Sequence, residues 1–546
     1  MEDASPPTNV PAVAASIPKG IRVRFLFGLV VVIGGLIFLV RRYGYEAFAM
    51  GWDMRFAATS ALSAIGVIIA FFMGGFSWRG RLLFLLVLAG GGFLLTKLVR
   101  KVNVDGAMIP SDIEWVWEPP RTSNFDPSSI SGDPAALLGS WSPTPTDCPE
   151  FRGAKRDGVI PGPALAREWK TKPPKLVWGP VPVGLGYGSM AVAGDHLVTI
   201  EQRLDREAVV CYRRDSGKEV WTHSYPALFE RSEMQGGPGP CSTPTVVGES
   251  IFTLGATGML LRLDGKGKPV WSVNVLEDVK ADNLPWGMAG SPLVTDDLVI
   301  VNAGVGKQPG AIGGVVAYDR ETGKRRWTSS DPKTAGYSSP QLSEIGGAKQ
   351  VLIFDGQGLA GLDPKTGKQY WREPWRTNQG INVCQPTLGG DDRIFISSGY
   401  MIGGGLFKVS PAKDQWTVER LWKDSRSMQC KFTSPVLHEG RLYGISDVDL
   451  VCIDVNTGKR LWKGPEVGYG QVLLRGELLV VVTERGAVVT AAANPAKYEE
   501  LGRFDVFREK TWNTPTLAGD RLYLRNHRSM VCIQLPIADP ALAMKP

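Results

Sequence analysis

One short unit recurs through most of the chain after about residue 176, and it restricts the fold more than any other feature. Its ending reads Asp215-Ser-Gly-Lys-Glu-Val-Trp221, Gly265-Lys-Gly-Lys-Pro-Val-Trp271, Glu321-Thr-Gly-Lys-Arg-Arg-Trp327, Lys365-Thr-Gly-Lys-Gln-Tyr-Trp371 and Asn456-Thr-Gly-Lys-Arg-Leu-Trp462. In every copy Gly stands four and Lys three positions before the Trp, and Asp319, Asp363 and Asp454 stand eight before it. The spacing predicts a hairpin. An apolar strand (315–318, 451–453) ends at an Asp whose carboxylate accepts turn N–H groups, Gly supplies positive φ, and the next strand turns its Trp inward. Each unit also opens alike, on Thr243-Pro244, Ser291-Pro292, Ser339-Pro340, Ser434-Pro435 and Thr514-Pro515, with Gln385-Pro386 as a variant. A second strand follows each opening, at 250–254, 298–302, 351–354, 393–397, 441–445 and 521–524. Four strands per unit is one propeller blade.

The closing position is held by Trp178, Trp221, Trp271, Trp327, Trp371, Trp422, Trp462 and, in a degenerate copy, Phe504. The last unit stops after its third strand, 529–534, whereas 175–178 is a Trp strand with nothing before it. The two fragments complete one blade, so the expected fold is an all-β, eight-bladed β-propeller closed by pairing N- and C-terminal strands, which removes open sheet edges. Composition agrees: 65 Gly and 39 Pro carry too much turn chemistry for a helical bundle, and 43 % hydrophobic residues exclude global disorder. A formal charge of +7 without a long basic run gives no support for a nucleic-acid partner.

The front of the chain differs in kind. Residues 25–40 and 56–78 carry no charge, and 82–99 carries only Lys97. These are lengths that about 30 Å of hydrocarbon requires, so after an N-terminal tail (1–20) residues 21–100 are expected to form a membrane anchor of three transmembrane α-helices. Lys19, Arg22, Arg24, Arg79 and Arg81 oppose Arg41, Arg42, Arg55, Lys97, Arg100 and Lys101, so charge does not settle sidedness. Residues 101–167, with Trp115, Trp117, Pro119, Pro120, Pro127, Pro134, Pro143 and Pro145, are expected as a mostly extended linker to a propeller at 168–546.

The repeat resembles the PQQ-like repeat of quinoprotein dehydrogenases and of the BamB lipoprotein family. Beyond the repeat, Phe151-Arg-Gly-Ala-Lys-Arg-Asp-Gly158, Cys211-Tyr212, His223-Ser-Tyr-Pro226, Gly236-Gly-Pro-Gly-Pro240, Tyr337-Ser-Ser-Pro-Gln341 and Lys510-Thr-Trp-Asn513 resemble segments of membrane-anchored bacterial proteins carrying PQQ-like propellers. The resemblance covers about residues 150–535. It implies an inner-membrane, multi-pass protein with its propeller in the periplasm.

A quinoprotein dehydrogenase needs a Ca²⁺ site of carboxylate and amide oxygens, a catalytic Asp, an aromatic stacked on the quinone, and often a disulfide between adjacent cysteines. The segments leading into each Ser/Thr-Pro, where such groups belong, hold aromatics and amides but no acid. Asp282, Asp424 and Glu509 stand several residues upstream, and there is no Cys-Cys pair. The site candidates are therefore Trp286, Tyr337, Gln379, Asn382, Gln429, Lys431, Trp512 and Asn513, ringing one mouth of the channel as a surface for a peptide, glycan or planar ligand. The competing structural reading has the aromatics filling the taper between blades and the amides satisfying buried backbone groups.

Cys241, Cys384 and Cys430 precede their blade openings and are expected as buried fillers too far apart to ligate a metal together. Cys211, Cys452 and Cys532 share one core strand position, and Cys148, in the linker, is expected to be exposed. His196, His223, His438 and His527 are placed in turns or outer strands without zinc spacing. Gly184-Leu-Gly-Tyr-Gly188 precedes a strand and reads as turn chemistry, not as a phosphate cradle. The expected function is a non-catalytic, membrane-anchored scaffold that binds a protein or periplasmic ligand and has no cofactor. The alternative is a PQQ- and calcium-dependent membrane dehydrogenase of alcohols or sugars with a divergent site, and a third reading is a small-ligand sensor.

Overall fold

The computed structural model describes residues 77–104, 110–117, 139–231, 236–307, 309–413 and 415–539. Eight four-stranded antiparallel sheets follow one another along the chain. Blades 1 to 7 span 191–226, 245–274, 293–328, 341–374, 387–424, 436–466 and 471–505, their strands running in chain order from the first to the fourth. Blade 8 takes its first three strands, Thr516–Ala518, Arg521–Arg525 and Ser529–Gln534, from the C-terminal end, and its fourth, Lys175–Pro182, from before blade 1. Cys532 lies opposite Trp178 in that closing pair. The eight-bladed ring, its closure and all eight closing positions are thus as the repeat predicts.

Blades are joined by an outer and an inner belt. In the outer belt a closing Trp donates its indole N–H to a carbonyl of the following blade. The pairs are Trp178 to Arg214 (3.1 Å), Trp221 to Gly265 (3.1 Å), Trp271 to Arg320 (3.0 Å), Trp327 to Pro364 (3.2 Å), Trp422 to Val455 (2.9 Å) and Trp462 to Asn494 (2.8 Å). The repeat glycine lies beneath that ring: a Cβ at Gly217, Gly267, Gly323 or Gly458 would stand 2.6 to 2.8 Å from Trp178, Trp221, Trp271 or Trp422. These glycines also sit at φ of 68–77°, so the position excludes a side chain on two grounds. The repeat Asp braces the turn, Asp319 Oδ1 accepting from the N–H groups of Glu321 and Thr322, and Asp454 Oδ1 from those of Asn456 and Thr457.

Two departures have local causes. Blade 5 replaces the Thr-Gly-Lys turn with a long hairpin, Gly403–Ala412 against Gln415–Asp424, and the Trp371 indole turns instead to Gln350 Oε1 of its own blade (2.7 Å). Phe504 of blade 7 faces blade 8, whose third and fourth strands come from opposite ends of the domain. No turn joins them there, so the glycine turn that the other closing rings cover is missing.

The inner belt explains the Ser/Thr-Pro openings. Ser189 N–H donates to Thr243 Oγ1 (3.2 Å), Thr243 N–H to Ser291 Oγ (2.9 Å), Ser291 N–H to Ser339 Oγ (2.9 Å), Ser339 N–H to Gln385 Oε1 (2.7 Å) and Gln385 N–H to Ser434 Oγ (2.9 Å). Gln385 serves because its amide oxygen does the work of a hydroxyl. Blade 7 has no such opening, and Gln471 Nε2 bridges its neighbours by donating to the carbonyls of Phe432 (2.9 Å) and Trp512 (3.0 Å).

Residues 139–167 correct the expectation of an extended linker. They cross the end of the channel that carries the Thr-Gly-Lys turns. The carbonyl of Thr146 accepts from Gly519, that of Cys148 from Val192, that of Pro149 from Val246, and that of Gly158 from Leu474, at 2.8–3.1 Å. The buried Arg156 donates to the carbonyls of Ser291 (3.1 Å), Pro340 (2.8 Å) and Pro292 (2.6 Å) and pairs with Glu150 (2.9 Å). The buried Arg152 reaches Val472 O (3.1 Å) and Pro435 O (3.0 Å). The segment is held because it satisfies inward-facing carbonyls that the ring itself leaves open. Cys148, expected to be exposed, is 3 % exposed beneath it, and His196 is not on a turn or outer strand but buried on the second strand of blade 1, stacked on Trp141 at 4.0 Å.

Helix α1 spans Trp78–Leu98, and strands Val99–Val104 and Pro110–Trp115 form a two-stranded sheet. Between Arg81 and Lys97 the helix offers an uncharged run about 22 Å long at 1.5 Å per residue, short of about 30 Å of hydrocarbon. Among the described residues no helix is long and apolar enough to cross a membrane, which does not bear out the third expected span, 82–99. The other two, 25–40 and 56–78 up to Ser77, lie outside the described residues.

Two predictions follow from the belts and the crossing segment. Gly323→Ala should lower stability by about 1–2 kcal/mol through its left-handed backbone alone, and Trp271→Phe by about 1 kcal/mol through the lost hydrogen bond. Urea unfolding reads both, and unchanged midpoints would contradict the outer belt. Arg156→Met strands Glu150 and the carbonyls of Ser291 and Pro340, while that of Pro292 keeps Thr245 Oγ1 (2.7 Å), and should cost about 3 kcal/mol, seen as an early thermal transition. A wild-type melt would mean the segment merely rests on the ring.

Candidate functional site

In each blade the loop between the second and third strands and the connection to the next blade leave from the same end of the sheet. They build the end of the ring opposite the crossing segment. Two groups of side chains meet there.

The first group comes from blades 5 to 8. Trp512 packs against Phe432 (ring centroids 4.9 Å) and Tyr187 (5.3 Å), Phe432 against Tyr469 (5.3 Å), and Tyr187 against His527 (5.8 Å). Two buried lysines lie over these rings: Lys431 Nζ stands 4.4 Å from the Tyr469 centroid and 5.0 Å from that of Tyr400, and Lys510 Nζ 4.4 Å from that of Trp512. Lys431 also donates to the Tyr469 hydroxyl (2.9 Å). Glu484 orders the group, one carboxylate oxygen accepting from the Trp512 indole (2.8 Å) and the other from Tyr469 N–H (3.1 Å).

The second group comes from the connections around blades 2 to 4. Trp286 meets Tyr337 edge to face at 5.9 Å, Leu284 and Ala335 pack with them, and Arg231 lies 5.8 Å over Trp286. Burial raises the Tyr337 hydroxyl well above the usual tyrosine range.

The eight candidates therefore divide. Lys431 and Trp512 lie in the first group, Trp286 and Tyr337 in the second. The amides serve the backbone instead. Asn382 is wholly buried, donating to the carbonyls of Asp355 (2.7 Å) and Trp375 (3.2 Å), and Asn513 donates to that of Gly188 (2.7 Å). Gln429 Oε1 accepts from Met401 N–H (2.9 Å), tying the blade 5 loop to the next connection. Gln379 is exposed at φ +58° on a short turn and joins neither group.

Sequence reasoning missed Tyr187, Phe432, Tyr469, Glu484 and Lys510. Glu484 lies on a loop between second and third strands, outside the segments where acids were sought. The one signal for it was its position at the end of the second strand of a blade. Another acid overlooked is Glu207, buried in blade 1, where it accepts from Tyr225 Oη (2.6 Å) and Ala256 N–H (2.8 Å); burial raises its carboxyl above the usual range. Of the upstream acids, Asp282 and Asp424 are exposed and bond to backbone N–H groups of Lys307 and Arg426, whereas Glu509 accepts from Asn526 Nδ2 at 3.4 Å.

Burial pushes the Cys241 thiol up to about 11, and that residue stands apart from the other two channel cysteines. Cys211, Cys452 and Cys532 are core residues, as their shared strand position predicts. The glycine-rich 184–188 segment offers carbonyls, with Gly184 accepting from Arg525 (2.9 Å) and Gly188 from Asn513, which suits no phosphate. A small recess between blades 3 and 4 is lined by Asn302, Asp331, Lys333, Asp355 and Arg372, whose charges are already paired, Lys333 with Asp331 and Arg372 with Asp355.

The mouth is rimmed by exposed apolar side chains. Leu204 (85 % exposed), Leu228, Ile312, Tyr400 and Met401 (51 %) all project from its loops. Leu204, Tyr400 and Met401 sit at φ of 56–63°, a costly conformation for such side chains.

Comparison with known proteins places this architecture. A curated relative, the outer membrane protein assembly factor BamB of Burkholderia pseudomallei (strain K96243), is 24 % identical over 326 residues, covering 51 % of this chain and 80 % of the relative. Among solved structures, the quinohemoprotein alcohol dehydrogenase of Comamonas testosteroni matches with a TM-score of 0.52 and 14 % identity over 75 % of this chain and 83 % of that one. BamB of Moraxella catarrhalis matches with a TM-score of 0.45 and 18 % identity over 66 % and 99 %. The structural likenesses bear on fold alone. The family described as outer membrane protein assembly factor BamB matches residues 205–463 and 413–495, together more than half of the chain. The chain belongs to that family of PQQ-like β-propellers.

Proposed function

We propose that the propeller is a non-catalytic docking scaffold for a protein partner, that the partner seats on the mouth face, and that the uncharged segments 25–40 and 56–77 anchor the chain in the inner membrane with the ring in the periplasm. The observation that carries this reading is the gathering of exposed Leu204, Leu228, Ile312, Tyr400 and Met401 on one face, around a floor of packed aromatics and buried lysines. Apolar anchors rimmed by charge are the usual anatomy of a protein interface. The opposite face is crossed by the chain's own residues 139–167, which already meet its open carbonyls. Membership in a family named for assembly of outer membrane proteins supports the same reading. The anchor rests on the uncharged segments of the sequence.

One observation favours the dehydrogenase reading: Glu509 beside the Asn526 amide, near Trp512. The rest of the mouth fits a quinone and calcium poorly. Trp512 is already flanked by Phe432 and Tyr187, and among the described residues no three His, Cys, Asp or Glu side chains are placed to hold a metal.

A photoreactive residue at Met401 should give an adduct with another protein in cells, whereas the same residue at Lys324, on the Thr-Gly-Lys side, should give none. Adducts at Lys324 alone would overturn the docking face. The chain should also stay with the membrane pellet after an alkaline carbonate wash, and its release would remove the anchor from the account.

A further inference from the structure

Cys384 and Cys430 stand on the connections leading into blades 5 and 6, which are neighbours around the ring. Both side chains are 1 % exposed, both are free thiols, and they share one apolar cluster with Phe395, Leu406, Met428 and Leu442. Cys384 Sγ donates to the carbonyl of Gln385 (3.3 Å), and burial together with the neighbouring Cys430 thiol raises the Cys384 thiol well above its ordinary range. The backbone around them is held firmly: Cys430 N–H donates to Ser397 Oγ (2.9 Å), and Gln385 N–H, next to Cys384, donates to Ser434 Oγ (2.9 Å). The sequence reading separated these cysteines on the assumption that their blades lie two or more apart, and the ring order makes them adjacent.

We propose that Cys384 and Cys430 are a redox pair that closes to a disulfide between the entries of blades 5 and 6. In that step each thiol gives up its proton and one sulfur–sulfur bond forms between them. The two electrons pass to an external low-molecular-weight disulfide, which leaves as two thiols. Burial keeps the pair from solvent in the closed ring, so exchange occurs while the ring is open during folding or partial unfolding. The bond would act on the mouth, because Cys430 lies between Gln429, which ties the blade 5 loop, and Lys431, which lies over Tyr469 and Tyr400. This inference rests on the packing of the two thiols and is independent of the docking reading.

The test takes the full chain through mild urea in oxidised or reduced glutathione, then alkylates it in strong denaturant and counts modified cysteines by mass spectrometry. Of the seven cysteines, all should be alkylated from the reduced sample and two fewer from the oxidised one. The missing pair should map to linked peptides containing Cys384 and Cys430. Cys384→Ala should lose one alkylation site, show the same count in both buffers and form no link. The wild-type urea midpoint should be higher oxidised than reduced, a difference absent in Cys384→Ala. Full alkylation of the oxidised sample, or a link through Cys241 or any other cysteine, would overturn the proposal.

Discussion

The ring depends on an indole lying on a glycine. Trp178, Trp221, Trp271, Trp327 and Trp422 each cover the repeat Gly of the following blade's turn and donate to a carbonyl near it, so a turn that ends one hairpin also receives the neighbouring blade. The contact explains why three residue types travel together in the repeat. Asp shapes the turn, Gly leaves both the φ and the space, and Trp supplies a flat face with one donor at its edge. It also explains where the pattern lapses. Blade 5 has no such turn, and Trp371 finds an acceptor in its own blade. Phe504 points toward a blade whose outer hairpin is split between distant parts of the chain, so no glycine turn lies there for a ring to cover.

The inner belt works at smaller radius with different chemistry. A hydroxyl or amide oxygen on each blade's opening accepts the N–H of the preceding one, and the carbonyls that remain face the channel. Arg152 and Arg156 consume several of them, and that accounts for the closure of one end by residues 139–167. The two ends of the channel therefore have unlike characters. One is a satisfied backbone surface, the other a bed of aromatic rings and buried cations ringed by exposed Leu204, Ile312 and Met401. The docking proposal rests on the second.

Blade number, strand order and ring closure were legible because they rest on local periodicity: Gly and Trp at fixed spacing, Ser or Thr before Pro. Half of the mouth candidates were legible for the same reason, Trp286, Tyr337, Lys431 and Trp512 lying on connections that the blade register places at one end. The amides were not separable from them by sequence, since Asn382 and Gln379 differ only in whether a nearby carbonyl needs a donor. Glu484 and Tyr187 reach the mouth from loops remote in the chain, and no spacing encodes that. The segment 139–167 read as a linker because it lacks hydrophobic periodicity. It is held by arginines bonded to carbonyls, an interaction that leaves no periodic trace, and only its few buried apolar residues, Trp141, Cys148, Ile160 and Leu165, hint at packing. The stretch 82–99 reads as long enough for a membrane span only when Lys97, near its end, is counted within it; the uncharged run itself is 82–96.

The central claim is that one face of the ring receives a protein and the other does not. Hydrogen exchange measured on the chain in its native envelope fraction and again after purification tests it most directly. The account predicts added protection in the envelope fraction at 204–205, 311–313 and 399–402, with the turns at 320–324, 363–368 and 455–459 unchanged. Protection gained at those turns, with the mouth loops unaffected, would contradict it.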